Sequence, residues 1–373
     1  MSIAIALVLA SFVLPLSADD WLERIRVEAE LPALGAAAVV DGVPVILEVT
    51  GERALGSGVP VESSDQWHLG SCTKAMTATV LGQLVARDML AWDDTIGDCL
   101  GDLEMDVAWR DVTLSDLLRH RSGLPEDRTA DPAMFMRIRA LEGSLDRQRR
   151  EVVSLVLAGS PEAPRGERMA YSNFGYVIAA AMAEARTGQT WEDLCRRELF
   201  EPLGMTTARF GPPGSAKQVD APRGHRGETP LAPGPWSDNP ATLGPAGTVS
   251  ASLEDWGRFL AWHAGAEATL VAGSRETLHD PGAAGNYAGG WLVLDRPWSE
   301  GRVLTHNGSN SLWFATCWVA PARGWAVMAV TNSGGGSAGD ACDRVIGELV
   351  ARLESAHAAD SGDVNRKADE APR

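Results

Sequence analysis

A chain of 373 residues, 45% hydrophobic and 22% charged, is long enough to bury a large core as one big domain or two lobes, which excludes a disordered protein. Its 33 basic and 50 acidic residues give a net charge of -17, and self-repulsion of that size turns the chain away from phosphate backbones, so nucleic acid is not an expected partner. Five cysteines, Cys72, Cys99, Cys195, Cys317 and Cys342, show no C-x-x-C spacing, so neither a zinc site nor a redox motif is indicated, and the odd count leaves at least one thiol unpaired.

Residues 3–16 form an apolar run broken only by Ser11 and followed by Ser17-Ala18 and Asp19-Asp20. This is the outline of a secretory signal peptide over residues 1–18, which would make the protein periplasmic or extracellular. The competing reading is a buried N-terminal helix in a cytoplasmic protein. The run is too short to span a bilayer and no other segment looks membrane-spanning, so no stable membrane span is expected.

Residues 21–30 have helical spacing, with Trp21, Leu22 and Ile25 on one face. Two β-branched runs, 34–40 and 43–49, flank Asp41-Gly42, a dipeptide suited to the left-handed geometry of a two-residue hairpin. Residues 73–87 read as a helix through Met76, Val80, Leu81 and Leu84, with Ser71 at its start. More helical stretches follow at 114–119, 144–157, 176–187 and 191–199. Residues 204–247 are crowded with Pro and Gly and read as loops lining a cleft, with a disordered linker as the alternative. A helix near 253–263 precedes strands at 289–294, 303–307, 312–319 and 325–331. A closing helix is expected over 340–353, and a polar, disordered tail over 355–373. Strands at both ends with helices between them predict an α+β fold. An antiparallel sheet would be built from about 19–70 and 248–354, packed with helices, and a helix-rich lobe of about 71–247 would be inserted into it.

Ser71-Cys72-Thr73-Lys74 sets a hydroxyl and an amine three positions apart at a helix start, on one face. A serine needs a base beside it to act as a nucleophile. Lysine can lose its proton when buried, whereas arginine cannot. The chain holds only three lysines, Lys74, Lys217 and Lys367, so a chance S-x-x-K is expected roughly 0.2 times per chain. The helix N-terminus would favour negative charge developing beside Ser71. In Tyr171-Ser172-Asn173, the phenol could carry the serine proton and Asn173 could offer its amide to Lys74 and to a substrate carbonyl, although Ser-Asn after a loop is also an ordinary helix cap. In His306-Asn307-Gly308-Ser309, at a strand end, Gly308 permits close approach of a substrate, and the amide of Ser309 with that of Ser71 could form an oxyanion hole. A histidine in such a place can equally be structural.

S-x-x-K, Y-S-N and H-x-G in this order resemble the class C β-lactamase and penicillin-binding-protein family, including its esterases and D-amino-acid peptidases. Further similar text includes Leu117-Leu118-Arg119-His120-Arg121-Ser122-Gly123-Leu124-Pro125, Phe200-Glu201-Pro202-Leu203-Gly204-Met205 and Pro245-Ala246-Gly247, and the resemblance covers nearly all of residues 20–352. It implies a β-lactamase/transpeptidase-like fold and a serine hydrolase that forms an acyl-enzyme on a small ester, amide or peptide. Ser71 would be the acylated nucleophile, Lys74 and Tyr171 the acid/base groups, and Asn173 a substrate ligand, with no metal or organic cofactor required. His306 stands where many family members carry lysine, and a neutral imidazole grips a substrate carboxylate less firmly than an ammonium does, which argues against strong β-lactamase activity. Two other readings remain: a non-catalytic, penicillin-binding-like receptor or scaffold, and an α/β-hydrolase using Ser337 in Gly335-Gly336-Ser337-Ala338-Gly339, which has only His357 after it.

Overall fold

Asp41 and Gly42 both adopt positive φ, 47° and 82°, and turn β1 (Ala33–Val40) back into β2 (Val43–Gly51) as the dipeptide predicts. The computed structural model describes residues 20–126, 131–271, 273–283 and 285–369, so the expected signal peptide lies outside the described residues.

The remaining strands, in chain order, are β3 (Gln66–His68), β4 (Arg209–Phe210), β5 (His225–Arg226), β6 (Thr229–Pro230), β7 (Val249–Ser252), β8 (Tyr287–Ala288), β9 (Trp291–Asp295), β10 (Arg302–Ser309), β11 (Phe314–Ala320) and β12 (Trp325–Thr331). Seven form one sheet in the order β2-β1-β12-β11-β10-β9-β8, antiparallel throughout. Its first and last long strands are neighbours, β1 pairing with β12 from Leu34↔Thr331 to Val40↔Trp325. The helix-rich stretch between β3 and β7 is the inserted lobe, so the architecture is the α+β arrangement expected from the sequence.

Alternation along β1 divides the core. Leu34, Ala36 and Ala38 face the helices Trp21–Glu28 and Ala338–Asp369 on the outer side, while Ala33, Ala37 and Val39 face the inner core, where the helix Leu253–His263 packs against the strand. On the inner side the helix Thr73–Val85 is buried nearly all round, rather than along one stripe. Its polar side chains stay inside because each finds a partner: Thr77 Oγ1 donates to Pro245 O at 2.7 Å, and Gln83 bonds Ser274 Oγ and the Val271 amide.

One expectation is corrected. The closing helix spans Ala338–Asp369, where the sequence suggested an end at 353 and a disordered tail; 354–369 holds no proline, and its one glycine, Gly362, weakens a helix without ending it. Residues 204–247 hold β4, the β5–β6 hairpin and a short helix, Gly244–Gly247, among their loops, and Arg226, Trp236, Asp238 and Asn239 line a cavity with Ser71, as the cleft reading expects. No helix among the described residues is long and apolar enough to cross a membrane.

Candidate active site

Ser71 sits in a 3₁₀ turn, Gly70–Cys72, that runs directly into the helix Thr73–Val85. Gly70 holds φ at 49°, and a Cβ there would come within 2.4 Å of the Ser309 nitrogen. A Cβ on Gly308 would fall 2.0 Å from Leu69 O and 2.8 Å from the Ser71 nitrogen. The two glycines therefore let β10 lie directly against the serine turn, with the amides of Ser71 and Ser309 at that contact. On the other side His68 accepts the Gly70 N–H on Nδ1 at 3.1 Å, which leaves its proton on Nε2, 2.7 Å from Asp238 Oδ1.

Lys74 is fully buried. Its Nζ lies 3.0 Å from Ser71 Oγ, 2.6 Å from Asn173 Oδ1 and 2.7 Å from Ala246 O. The amide and main-chain oxygens can only accept hydrogen bonds, and of these three partners only the Ser71 hydroxyl can also give a proton.

Asn173 opens the helix Asn173–Thr187, and Ser172 is its N-cap. Capping is not what these side chains do: Ser172 makes no side-chain cap bond, and Asn173 reaches across to Lys74. Tyr171 lies just before them, its ring centroid 4.9 Å from Lys74 Nζ. The chain has three tyrosines in all, and Tyr176 and Tyr287 belong to the same cluster. Burial pushes the phenols of both well above the usual tyrosine range, so neither ionises at ordinary pH.

His306 is 6% exposed, and both ring nitrogens are engaged inside the protein, with the Tyr287 hydroxyl at 2.9 Å and with Asn307 O at 2.6 Å. Burial, followed by the nearby Lys74 charge, lowers its pKa to about 3, so the ring is neutral.

A cavity of about 400 Å³ opens on Ser71, Asn173, Ala246 and Ser309, with Arg139 and Trp236 on its wall. Tyr171 and His306 face a second cavity of about 440 Å³ instead, together with Tyr287, Asn307 and Trp318. The fold therefore gathers Ser71, Lys74, Asn173, Gly308 and Ser309 at one turn and sets Tyr171 above Lys74, with His306 walling the far side. Ser337 is remote from this constellation in its bonding, since its hydroxyl is tied to Ala29 O at 2.6 Å. Ala246 O, Tyr287 and the His68–Asp238 pair were not foreseen as parts of the site. The scarcity of tyrosine was the available signal for Tyr287, and a main-chain acceptor such as Ala246 O leaves none.

A family model described as Beta-lactamase matches residues 18–351. Penicillin-binding protein 4 of Amycolatopsis lactamdurans is 29% identical over 347 residues, which cover 86% of this chain and 87% of that protein. Further curated relatives are longer, and this chain spans 44% to 62% of their lengths. Among solved structures, the octameric penicillin-binding protein homologue from Pyrococcus abyssi superposes with a TM-score of 0.73 at 21% identity, over 89% of this chain and 76% of that one. A class C beta lactamase from Rhodobacter sphaeroides gives 0.71 at 19% identity, over 89% and 97%. These two structures share the fold.

Proposed function

We propose that this chain, which belongs to the Beta-lactamase family, is a serine hydrolase that cleaves a small ester or amide through an acyl-enzyme on Ser71. The observation that carries the reading is the contact of the fully buried Lys74 amine with Ser71 Oγ, with Asn173 Oδ1 and Ala246 O also within hydrogen-bond distance of it. In the first step Ser71 Oγ attacks the substrate carbonyl carbon and its proton passes to the Lys74–Tyr171 pair. The carbonyl oxygen takes negative charge facing the amides of Ser71 and Ser309, where fixed N–H donors and a helix N-terminus stabilise it. Collapse breaks the bond to the leaving group, which leaves with a proton from Tyr171. Water, deprotonated through the same pair, then attacks the ester carbonyl; the bond to Ser71 Oγ breaks, the acid is released, and the pair returns the proton to Ser71. Asn173 holds Lys74 and is placed to bind the acyl group beside Ser71.

The neutral, fully bonded His306 supplies no cation for a carboxylate, which favours uncharged short-chain esters over β-lactams. Export belongs to the same reading and rests on the apolar run at residues 3–16.

A panel of p-nitrophenyl acetate and butyrate, nitrocefin and D-alanyl peptides, run with the wild type and Ser71→Ala, tests this. Ester turnover lost in the mutant supports the reading. Turnover equal in both proteins would remove Ser71 from the chemistry. A folded wild type that neither turns over the panel nor is labelled at Ser71 by a fluorophosphonate would favour a non-catalytic receptor.

A further inference from the structure

The N–H groups of the two residues that flank Tyr171 both end on a single residue. The N–H of Ala170 donates to His120 O at 2.8 Å, and the N–H of Ser172 donates to His120 Nδ1 at 3.2 Å. The imidazole then lies against the phenol those amides bracket, with ring centroids 4.4 Å apart. His120 takes φ of 55° to do this, a conformation in which histidine is over-represented among non-glycine residues, and it is 2% exposed.

Because Nδ1 accepts the Ser172 amide, the ring proton must sit on Nε2. That N–H is buried and has no hydrogen-bond partner among the described residues. Its surroundings are aromatic, with the rings of Tyr171, Tyr287 and Tyr176 at 4.4, 4.6 and 5.4 Å. An N–H against aromatic faces recovers part of a lost hydrogen bond and favours one ring orientation. Burial, with Lys74 and His306 nearby, holds the imidazole pKa well below 6.5, so His120 stays neutral and does not relay protons.

We propose that His120 is a positioning residue for Tyr171, fixing the height and tilt of the phenol over Lys74 by gripping the backbone on both sides of it and packing against its face. The proposal rests on the reading of Tyr171 as proton carrier, and its test contains a readout that does not need turnover. His120→Asn keeps a residue at home in positive φ and a side-chain acceptor but loses the ring. His120→Leu loses acceptor and ring N–H together. With only three tyrosines, protein labelled with ring-¹³C tyrosine gives three resolvable signals, and Tyr171→Phe assigns one of them. In folded His120→Leu the Tyr171 signal should move, with its titration midpoint displaced by at least about half a pH unit. For p-nitrophenyl butyrate, kcat should fall about 10- to 100-fold while KM stays within about threefold, and His120→Asn should recover part of the loss. Folded variants in which the Tyr171 signal and midpoint match wild type would overturn the proposal, whatever kcat does. Should His120→Leu fail to fold, the Asn variant carries the same comparison. A wild type without Ser71-dependent turnover would defeat the hydrolase reading alone, leaving the tyrosine signals to decide on His120.

Discussion

Tyr287 donates its hydroxyl to Nε2 of His306 across 2.9 Å, because the other ring nitrogen, Nδ1, already donates to Asn307 O and fixes the tautomer. The strand-end histidine is thus an internal acceptor and has no free N–H to present to a substrate.

Tyr287→Phe tests that bond. The ring stays to pack, but a buried acceptor on His306 loses its donor, which costs about 1–3 kcal/mol. A denaturant melt should show a lower midpoint with an unchanged slope, and ester turnover should fall less than in any change at Ser71 or Lys74. An unshifted midpoint would mean that the bond does not hold the site together.

At Lys74 the chemistry separates charge from basicity. Arginine keeps the charge but cannot lose its proton, and its planar fork does not match three oxygens placed around one nitrogen. Lys74→Arg should therefore be nearly as inactive as Ser71→Ala, with kcat down at least about 10²-fold, the lower range for losing a general base. Near-normal turnover of p-nitrophenyl butyrate by the folded variant would remove Lys74 from proton transfer.

Much of this site is legible in the sequence because its parts are local. Ser71 and Lys74 share a helix turn, Asp41-Gly42 writes its own hairpin, and the strands at the two ends of the fold are continuous apolar runs plain enough to predict one sheet between them. What is not legible is long-range. The acceptor from Ala246 is main chain and would look the same for any residue there. His120 lies 51 positions before Tyr171, and only the packed structure shows both flanking amides landing on it. In the serine helix the spacing of Met76, Val80, Leu81 and Leu84 marks one apolar face and carries no signal for Thr77, Thr79 and Gln83, each of which is buried with a partner. The closing helix runs past its apolar stripe because the stretch after Leu353 holds no proline, and its single glycine, Gly362, weakens a helix without ending it.

Gly308→Ala probes the contact between β10 and the serine turn. A methyl group there would need the space held by Leu69 O at 2.0 Å and the Ser71 nitrogen at 2.8 Å, and both are backbone atoms that cannot swing aside. The strand must shift, which costs about 1–3 kcal/mol as overpacking and moves the Ser309 amide away from that of Ser71. The expected pattern is a kcat loss of about 10²-fold or more from one displaced oxyanion donor, with a smaller change in KM. Full activity in a stable Gly308→Ala protein would show that the two amides do not act together.

Stability should also depend on pH in a direction set by the buried imidazoles. Burial lowers the pKa of His306 from 6.5 to about 3 and that of His279 to about 4, places His120 and His263 well below 6.5, and lowers His225 less strongly. In the unfolded chain these rings bind protons once the pH falls below about 6.5, while in the folded protein they remain neutral. The unfolded state therefore holds more protons, so the stabilisation is fully present above pH 6.5 and is lost as the pH falls toward 4. Each such ring contributes up to about 1.4 kcal/mol per pH unit within that window. Glu184 and Asp343, whose carboxyl pKa values are raised by burial, act in the opposite direction, so the comparison between pH 7.5 and 5.5 is made for the wild type and for a histidine variant side by side. Denaturant midpoints should drop between those two values. His279→Gln, which removes one titrating ring beside His263, should make the drop smaller, and a midpoint independent of pH across that interval would contradict neutral burial of these rings.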